Sequence, residues 1–303
     1  MSDLPRSSLS RRQFLKSGLA LATCAWTLRP GSLLAYEPPR APVLPCDPDC
    51  TRWALLSDTH IADDPENHYR GFYPYRNLQE VAAWIADDPP DGLVITGDLA
   101  RLKGKVEAYK NFRALLAPMA RQPIHLGLGN HDNRDDFFQT FGHGSHDDGV
   151  VENKHVLVRE AGPVRLIVLD SLSRVNAFTG KLGSEQRTWL ETILQTCDER
   201  PTILFLHHAP NGELLDTQRL FKIIKPVTKI KAVVHGHSHQ YDYDQVTGIH
   251  VVSLPATGFN FSRREPVGWV QAKLTPKGGE FTLHAIGGDR RLDGTTQKLV
   301  WRT

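Results

Sequence analysis

The sequence predicts an α/β protein built on mixed β-sheets. Short apolar runs alternate with stretches of helical spacing early in the chain, and apolar runs dominate its later part. Strands that alternate with helices favour parallel pairing, whereas successive strands favour antiparallel pairing. No internal repeat is present and no linker divides the chain after residue 51, so we expect one domain.

Nine short apolar runs, rich in β-branched and aromatic residues, predict strands. They are Trp53–Ser57, Gly92–Thr96, Ile124–Gly127, Val164–Leu169, Thr202–Leu206, Ala232–His235, His250–Leu254, Trp269–Leu274 and Phe281–Ile286.

Three groups of residues at helical spacing predict amphipathic helices, with Ser184 as a possible N-cap of the third. The groups are Leu78, Val81, Ala82 and Ile85; Val106, Tyr109, Arg113 and Leu116; and Trp189, Leu190, Ile193 and Leu194.

The composition is that of a folded protein without an extreme charge. Of 303 residues, 40% are hydrophobic and 23% are charged, which is typical of a globular chain. The first 35 residues carry five cations and one anion, so the formal net charge of +2 becomes −2 for the remainder. A slightly acidic body without a basic stripe argues against a nucleic-acid partner.

Residues 1–35 predict an export signal. Arg11 and Arg12 precede Phe-Leu-Lys and a mildly apolar run, a pattern that resembles the twin-arginine signature. The run, Gly18–Leu28, is too short to span a bilayer. We expect cleavage near Ala35, the twin-arginine translocase as a partner, and a periplasmic or secreted protein; Cys24 is a weaker alternative, as a lipidation site.

Residues 36–51 form a proline-rich segment that we expect to be an extended leader before a domain at 52–303. Cys46 and Cys50 lie in this leader and could form a disulfide in an oxidising compartment. Two cysteines supply only two ligands, so a structural role is favoured over a metal site.

Five polar segments each follow a predicted strand, where ligand-bearing loops gather in α/β folds. Taken singly each is a weak signal, although His-x-His places two imidazoles on one face. The segments are Asp58-Thr59-His60, Gly97-Asp98, Gly129-Asn130-His131-Asp132, His207-His208 and His235-Gly236-His237-Ser238-His239.

In this order the segments resemble the signature of the calcineurin-like metallophosphoesterase superfamily, over roughly residues 52–261. Within it the chain looks most like the class III cyclic-nucleotide and glycerophosphodiester phosphodiesterases. The resemblance implies a four-layer fold, with two mixed β-sheets packed as a sandwich between flanking helices. It also implies a dinuclear-metal-dependent hydrolase of small phosphate esters, with phosphodiesters favoured as substrates, in which a metal-bridging hydroxide attacks phosphorus in line.

The resemblance also implies which side chains hold the metals. One ion would bind Asp58, His60 and His239, the other would bind Asn130, His207 and His237, and Asp98 would bridge them. His208 is the alternative to His207, which is preferred because family members place the ligand at the first histidine before a nearby proline. Carboxylate, amide and imidazole donors suit Fe, Mn, Zn or Co without choosing among them.

The same resemblance assigns His131 as general acid or cation beside the leaving group. Many family members orient this histidine with an aspartate three residues after the bridging one, where this chain has Arg101. We therefore expect Asp132 or another carboxylate to orient His131, or His131 to act as a hydrogen-bond donor. Arg101 either binds a phosphate oxygen or is exposed to solvent.

Three other functions remain open from the sequence. A phosphomonoesterase would use the same metals, a non-catalytic platform would retain the fold without turnover, and a nuclease is disfavoured by the charge.

Overall fold

The computed structural model describes residues 49–142 and 151–303. The predicted signal peptide, Cys46 and most of the predicted leader lie outside these residues. The first strand begins at Thr51, the last residue assigned to the leader.

The described residues form two six-stranded mixed sheets. The first has the order β12-β11-β10-β1-β2-β3, with β1, β2 and β3 parallel and the other three antiparallel. Its strands are β1 (Thr51–Leu56), β2 (Gly92–Ile95), β3 (Ile124–Leu126), β10 (Pro266–Leu274), β11 (Gly278–Gly288) and β12 (Thr296–Val300).

The second sheet has the order β4-β5-β6-β7-β9-β8, with four parallel strands between two antiparallel edges. Its strands are β4 (Leu157–Ala161), β5 (Val164–Val168), β6 (Thr202–Phe205), β7 (Ile230–His235), β8 (Asp242–Val246) and β9 (Ile249–Ser253). The helices are α1 (Pro74–Asp87), α2 (Val106–Leu115), α3 (Arg134–Phe141), α4 (Ser184–Thr196) and α5 (Thr217–Ile224), with a 3₁₀ turn at Ala117–Met119.

The alternating side chains of the strands build a sandwich. In β1, Trp53 and Leu55 pack into a core shared with β5, β6 and β7, whereas Ala54 and Leu56 pack beneath α1, α2 and α3. The opposite face of the second sheet is covered by α4 and α5. The predicted four-layer arrangement of two mixed sheets between helices is therefore confirmed.

Sequence periodicity missed three strands and two helices. Strand β8 is mostly exposed and polar, and β4 and β12 also carry charged residues, so all three lack the apolar signature of a buried strand. Helices α3 and α5 have eight residues each, which is shorter than the window over which helical spacing is recognised in a sequence. All three missed strands are edges of their sheets, where one side needs no partner.

Two details of the predicted helices were wrong. Helix α2 buries Ala108, Tyr109, Phe112 and Leu115, whereas Arg113 is exposed and donates to the Thr140 carbonyl. The predicted cap Ser184 is the first residue of α4, whose N-cap position is a glycine without a side-chain hydrogen bond. No helix in the described ranges is both long and apolar enough to cross a membrane.

The burial of Leu283, on β11, in the core between the two sheets can be tested by mutation. Leu283→Ala should lower the free energy of unfolding by about 2–5 kcal/mol, because Leu283 is fully buried between the sheets and its removal leaves a cavity. Leu292, which is 50% exposed, is the matched control, and Leu292→Ala should change stability by only about 0.5 kcal/mol. Urea denaturation measures both; equal losses would contradict the assignment of the core.

Candidate metal centre

The seven predicted metal ligands lie in loops that follow strands of both sheets. The loops after β1, β2 and β3 come from the first sheet, and those after β6 and β7 come from the second. Parallel strands end at the same edge of a sheet, so these loops meet where the two sheets adjoin. In the first sheet, Asp58 and His60 follow β1, Asp98 follows β2 and Asn130 follows β3. In the second sheet, His207 follows β6, and His237 and His239 follow β7.

Three overlapping groups of potential ligands lie among the described residues. One is His60, Asp98 and His131, and the other two, which we call the clusters, consist of predicted metal ligands alone. The ligand atoms of Asp58, His60 and His239 lie within 4.8 Å of one another, and so do those of Asp98, His207 and His237. Each cluster combines residues from both sheets, although their members are far apart in the sequence.

Asp98 faces both clusters. Its Oδ1 lies 3.4 Å from His207 Nε2, and its Oδ2 lies 3.8 Å from His60 Nε2. Because the two oxygens point to different imidazoles, this carboxylate can serve two cations at once.

Several buried polar atoms at the centre lack a hydrogen-bond partner among the described residues. They are Asp58 Oδ1, Asn130 Oδ1, both ring nitrogens of His207, and the Nε2 atoms of His208 and His237. Buried acceptors without a partner are rare because their desolvation is uncompensated. A set of carboxylate, amide and imidazole donors left free in this way fits transition-metal ions.

The backbone is strained at these residues. Five residues of the set have positive φ, between 49° and 69°, a region that is costly for non-glycine residues. They are Asp58, His60, Asp98, His237 and His239. Such strain is tolerated where it places functional side chains.

Two glycines allow the loops to approach so closely. A Cβ on Gly129 would lie 2.7 Å from His207 Nε2 and closer still to Asp98. A Cβ on Gly236 would lie 2.5 Å from Asp58 Oδ2 and collide with Ser57. The Gly-Asn-His-Asp and Gly-His-x-His segments thus begin with glycine because any side chain at that position would collide with a neighbouring loop.

Hydrogen bonds to the atoms that do not face the clusters fix the ligands. Asp58 Oδ2 accepts from the Ser57 hydroxyl at 2.5 Å and from the His237 amide at 3.0 Å. His239 Nδ1 donates to the Phe259 carbonyl at 2.6 Å, which leaves the His239 Nε2 lone pair directed at the cluster.

The electrostatics of the centre favour bound cations. Burial lowers the pKa of His60 to about 3 and that of His237 to about 4, so both imidazoles are neutral and able to coordinate. Burial also lowers the pKa of His207, but Asp98 and Asp58 outweigh it and raise that pKa to about 9. The same negative field that draws a proton to His207 would draw a metal ion.

The hydrogen bonds of Ser171 distinguish His207 from His208. The Ser171 hydroxyl accepts from the backbone amides of His207 and His208, each at 3.2 Å, and lies 2.8 Å from His208 Nδ1. With both lone pairs occupied, the hydroxyl donates its proton to Nδ1, and His208 must carry its own proton on Nε2. This tautomer cannot coordinate through Nε2, which agrees with the preference for His207.

His131 lies beside the clusters, and its orientation does not come from Asp132. His131 Nδ1 is 2.8 Å from Asn176 Oδ1 and 3.1 Å from the Leu102 carbonyl. Both are acceptors, so Nδ1 is protonated, and Nε2 lies 3.9 Å from Asp98 Oδ2. No sequence signal pointed to Asn176, because it lies in the loop between β5 and α4, outside any motif.

Asp132, one of the alternatives for orienting His131, does not contact that imidazole because its carboxylate is bonded elsewhere. It is fully buried and accepts from the backbone amides of Leu99, Ala100 and Gly129 and from the Tyr109 hydroxyl. Burial and the nearby Asp98 raise the pKa of Asp132 to about 6. Asp132 therefore ties together the loops that carry Asp98 and Asn130.

Arg101 lies on the His60 side of the centre, partly buried. Its guanidinium stands 4.8 Å from the Tyr69 ring and 5.9 Å from the Phe259 ring, and Phe259 stacks on His60 at 4.7 Å. No carboxylate lies within 4 Å of Arg101 in the described part of the chain. The arginine that replaces the family's aspartate is thus held by aromatic rings next to the clusters.

Comparison with known proteins agrees with this geometry. Residues 51–241 match the calcineurin-like phosphoesterase family. The chain belongs to this family. It is a metal-dependent phosphoester hydrolase with candidate clusters for the metal ligands.

Curated relatives of this phosphoesterase are similar over most of their length. It is 28% identical to the 3′,5′-cyclic adenosine monophosphate phosphodiesterase CpdA of Pseudomonas aeruginosa, over 68% of this chain and 76% of that one. It is 30% identical to a probable glycerophosphodiester phosphodiesterase GpdQ of Arcobacter nitrofigilis, over 61% of this chain and 70% of the relative.

A solved structure with the same fold is a dimetal phosphatase from Danio rerio. The TM-score is 0.66 with 14% identity, covering 83% of this phosphoesterase and 99% of that chain. At this identity the likeness supports the four-layer fold alone.

The contact between Asn176 and His131 can be tested by a double-mutant cycle. Asn176 has a φ of 59°, which glycine tolerates, so Asn176→Gly should keep the backbone conformation. This change should slow hydrolysis of esters with poor leaving groups about tenfold, because the His131 imidazole loses its orientation. Metal content should be unchanged, and in a His131→Ala background the same change should cost nothing further. Turnover of aryl esters with graded leaving groups and metal analysis measure these effects.

Two further variants control this test. Asn176→Asp retains an acceptor oxygen for His131 Nδ1 and should be nearly as active as the unaltered protein. Asn153 is another exposed asparagine with positive φ, and Asn153→Gly should have no effect on turnover. An additive loss from Asn176→Gly in the His131→Ala background would contradict the positioning role.

Proposed function

We propose that this protein is an exported phosphodiesterase with a dinuclear transition-metal centre, acting on small phosphate diesters. The observation that carries the dinuclear assignment is the position of Asp98, whose two oxygens face imidazoles of different clusters.

The described residues suggest how the ions would be held. One would bind Asp58, His60 and His239; the other would bind Asn130, His207 and His237; and Asp98 would be shared. Iron, manganese, zinc or cobalt would suit these donors. Two such ions would supply an activated water near neutral pH and would neutralise charge on the phosphoryl oxygens.

His131 provides the proton that the leaving group needs. Its Nδ1 is fixed by Asn176 and Leu102, so Nε2 is the atom that faces the centre and can carry a proton to the departing oxygen. A side chain that is 27% exposed can exchange this proton with solvent after each turnover.

Two exposed aromatic rings flank the centre and favour a diester over a monoester. Phe178 lies 4.9 Å from the His237 ring and is 66% exposed; Phe261 lies 4.3 Å from the His239 ring and is 51% exposed. A diester has an organic substituent for each ring, whereas a monoester has only one. The curated relatives named as phosphodiesterases support the same choice.

The comparison of two model esters tests this proposal. The purified protein should carry about two transition-metal ions and hydrolyse bis(p-nitrophenyl) phosphate faster than p-nitrophenyl phosphate, and chelation should abolish both activities. Asp98→Asn should lose metal and activity together, because an amide cannot serve two cations as a carboxylate does. Asp244→Asn, on the exposed strand β8, is the matched control.

The two parts of the proposal fail separately. A preference for the monoester would contradict the diester assignment, and full activity of a metal-free chain would contradict the metal centre.

Export through the twin-arginine route is proposed from Arg11 and Arg12, which lie outside the described residues. This route carries folded proteins, so the ions could be inserted in the cytoplasm before translocation. A centre assembled from loops of two sheets requires folding before the ligands meet, and this supports the route.

Replacement of both Arg11 and Arg12 by lysine should leave folded precursor in the cytoplasm, because lysine retains the charge but lacks the planar guanidinium. Cell fractionation and the N-terminal sequence of the product measure this. Replacement of Arg6 and Arg29 by lysine, outside the pair, should leave export intact. Normal periplasmic appearance of the variant with both arginines of the pair replaced, cleaved near Ala35, would contradict the route.

A further inference from the structure

A cavity of about 580 Å³ opens next to the metal centre, on its His239 side. We call it the arginine cavity; its lining residues are Arg70, Phe72, Asn260, Phe261, Arg263 and Gly288. The Phe261 ring lies 4.3 Å from the His239 ring, so one residue borders both the cavity and the first cluster. Its volume is within the usual range for small-molecule sites.

The two arginines of the cavity lack carboxylate partners. Within 4 Å of either guanidinium there is no acidic side chain among residues 49–142 and 151–303, whereas nearby Arg76 and Arg291 are paired with Glu66 and Asp289. Arg70 donates one bond to the Phe261 carbonyl at 2.6 Å. Its remaining donors and all those of the exposed Arg263 are available to an anion.

The acidic residues next to the cavity are already engaged. The Glu265 carboxylate accepts from the Tyr241 amide at 3.0 Å, and Asp289 accepts several bonds from Arg291. Asp289 is therefore neutralised by Arg291, whereas Glu265 keeps its charge because the Tyr241 amide is neutral. Neither carboxylate lies within 4 Å of the Arg70 or Arg263 guanidinium among the described residues.

The walls of the cavity are held by backbone hydrogen bonds. Tyr69 and Phe72 exchange two of these at 2.9 Å and close the turn that presents Arg70. Gly288, also in the lining, has a φ of 64°, and a Cβ there would lie 2.6 Å from Asn260 Nδ2. The backbone around the cavity is fixed in this way, whereas the exposed Arg263 side chain would become ordered only when a ligand binds.

We propose that the arginine cavity binds a phosphate group carried by one alcohol substituent of the substrate. This inference rests on the proposed phosphodiesterase function and extends it: the scissile phosphate lies at the metals, and the terminal phosphate lies between Arg70 and Arg263. Two guanidinium groups match the charge of a phosphate dianion, and their planar donors match its oxygens. Phe261 packs against the organic part that joins the two phosphates. The substrate class is thus a diester whose alcohol bears a second phosphate.

A pair of esters that differ only in this phosphate tests the proposal. The p-nitrophenyl ester of thymidine 5′-phosphate and the same ester with an added 3′-phosphate have one leaving group in common. The metal-loaded full chain should show a kcat/KM about tenfold or more higher for the second ester, as expected for a charge-assisted contact. Arg263→Gln should bring the ratio close to one, and Arg263→Lys should restore part of it.

Three controls separate a local contact from other effects. Arg264→Gln removes the same charge one residue away, outside the lining, and should retain the ratio. Arg70→Gln should also lower the ratio, and Arg263→Gln should leave hydrolysis of bis(p-nitrophenyl) phosphate unchanged, since that ester has no second anion. An equal effect of Arg264→Gln, or equal kcat/KM for both thymidine esters, would overturn the cavity as a phosphate site.

Equilibrium binding keeps this inference testable apart from turnover. Calorimetry with the metal-loaded protein should show tighter binding of thymidine 3′,5′-bisphosphate than of thymidine 5′-phosphate, with the difference lost in Arg263→Gln. If neither ester is hydrolysed but this difference persists, the cavity is supported and the proposed function fails. If both esters are hydrolysed and the two nucleotides bind equally, the cavity is overturned and the proposed function stands.

Discussion

The concentration of negative charge on two buried carboxylates, Asp58 and Asp98, is the constraint on which this structure depends. Both side chains are almost completely buried, where an ionised carboxylate is costly unless cations or donors surround it. Burial alone would raise the pKa of Asp98, yet the surrounding imidazoles, with His207 foremost, hold that pKa well below its usual value. The loops, the glycines and the strained backbone serve to bring these donors together.

The fold and the ligands could be predicted from the sequence because their signals are local. A buried strand followed by Asp-x-His or Gly-His-x-His can be recognised from a few adjacent residues, and Trp53 to Leu56 are apolar because β1 is covered on both faces. The sandwich of mixed sheets followed from the family resemblance. Edge strands such as β8 were not predicted from the sequence, because their exposed residues carry no apolar pattern.

The residues that the sequence could not identify act through contacts over long separations. Asn176 meets His131 across 45 residues, and Ser171 meets His208 across 37. An asparagine or serine in a loop carries no motif, since only the folded chain decides which imidazole it faces. Asp132 was misassigned for the converse reason: it adjoins His131 in sequence, but its carboxylate turns inward to the backbone of residues 99 and 100.

Each ligand cluster combines residues from both sheets, and this has a consequence for stability. His60 and His239 are 179 residues apart, yet their Nε2 atoms lie 3.0 Å from each other. An ion held between such positions would act as a cross-link that closes most of the domain into a loop, much as a disulfide would. The sandwich would then become more resistant to unfolding as free metal rises, and metal supply would govern the lifetime of the folded protein as well as its chemistry.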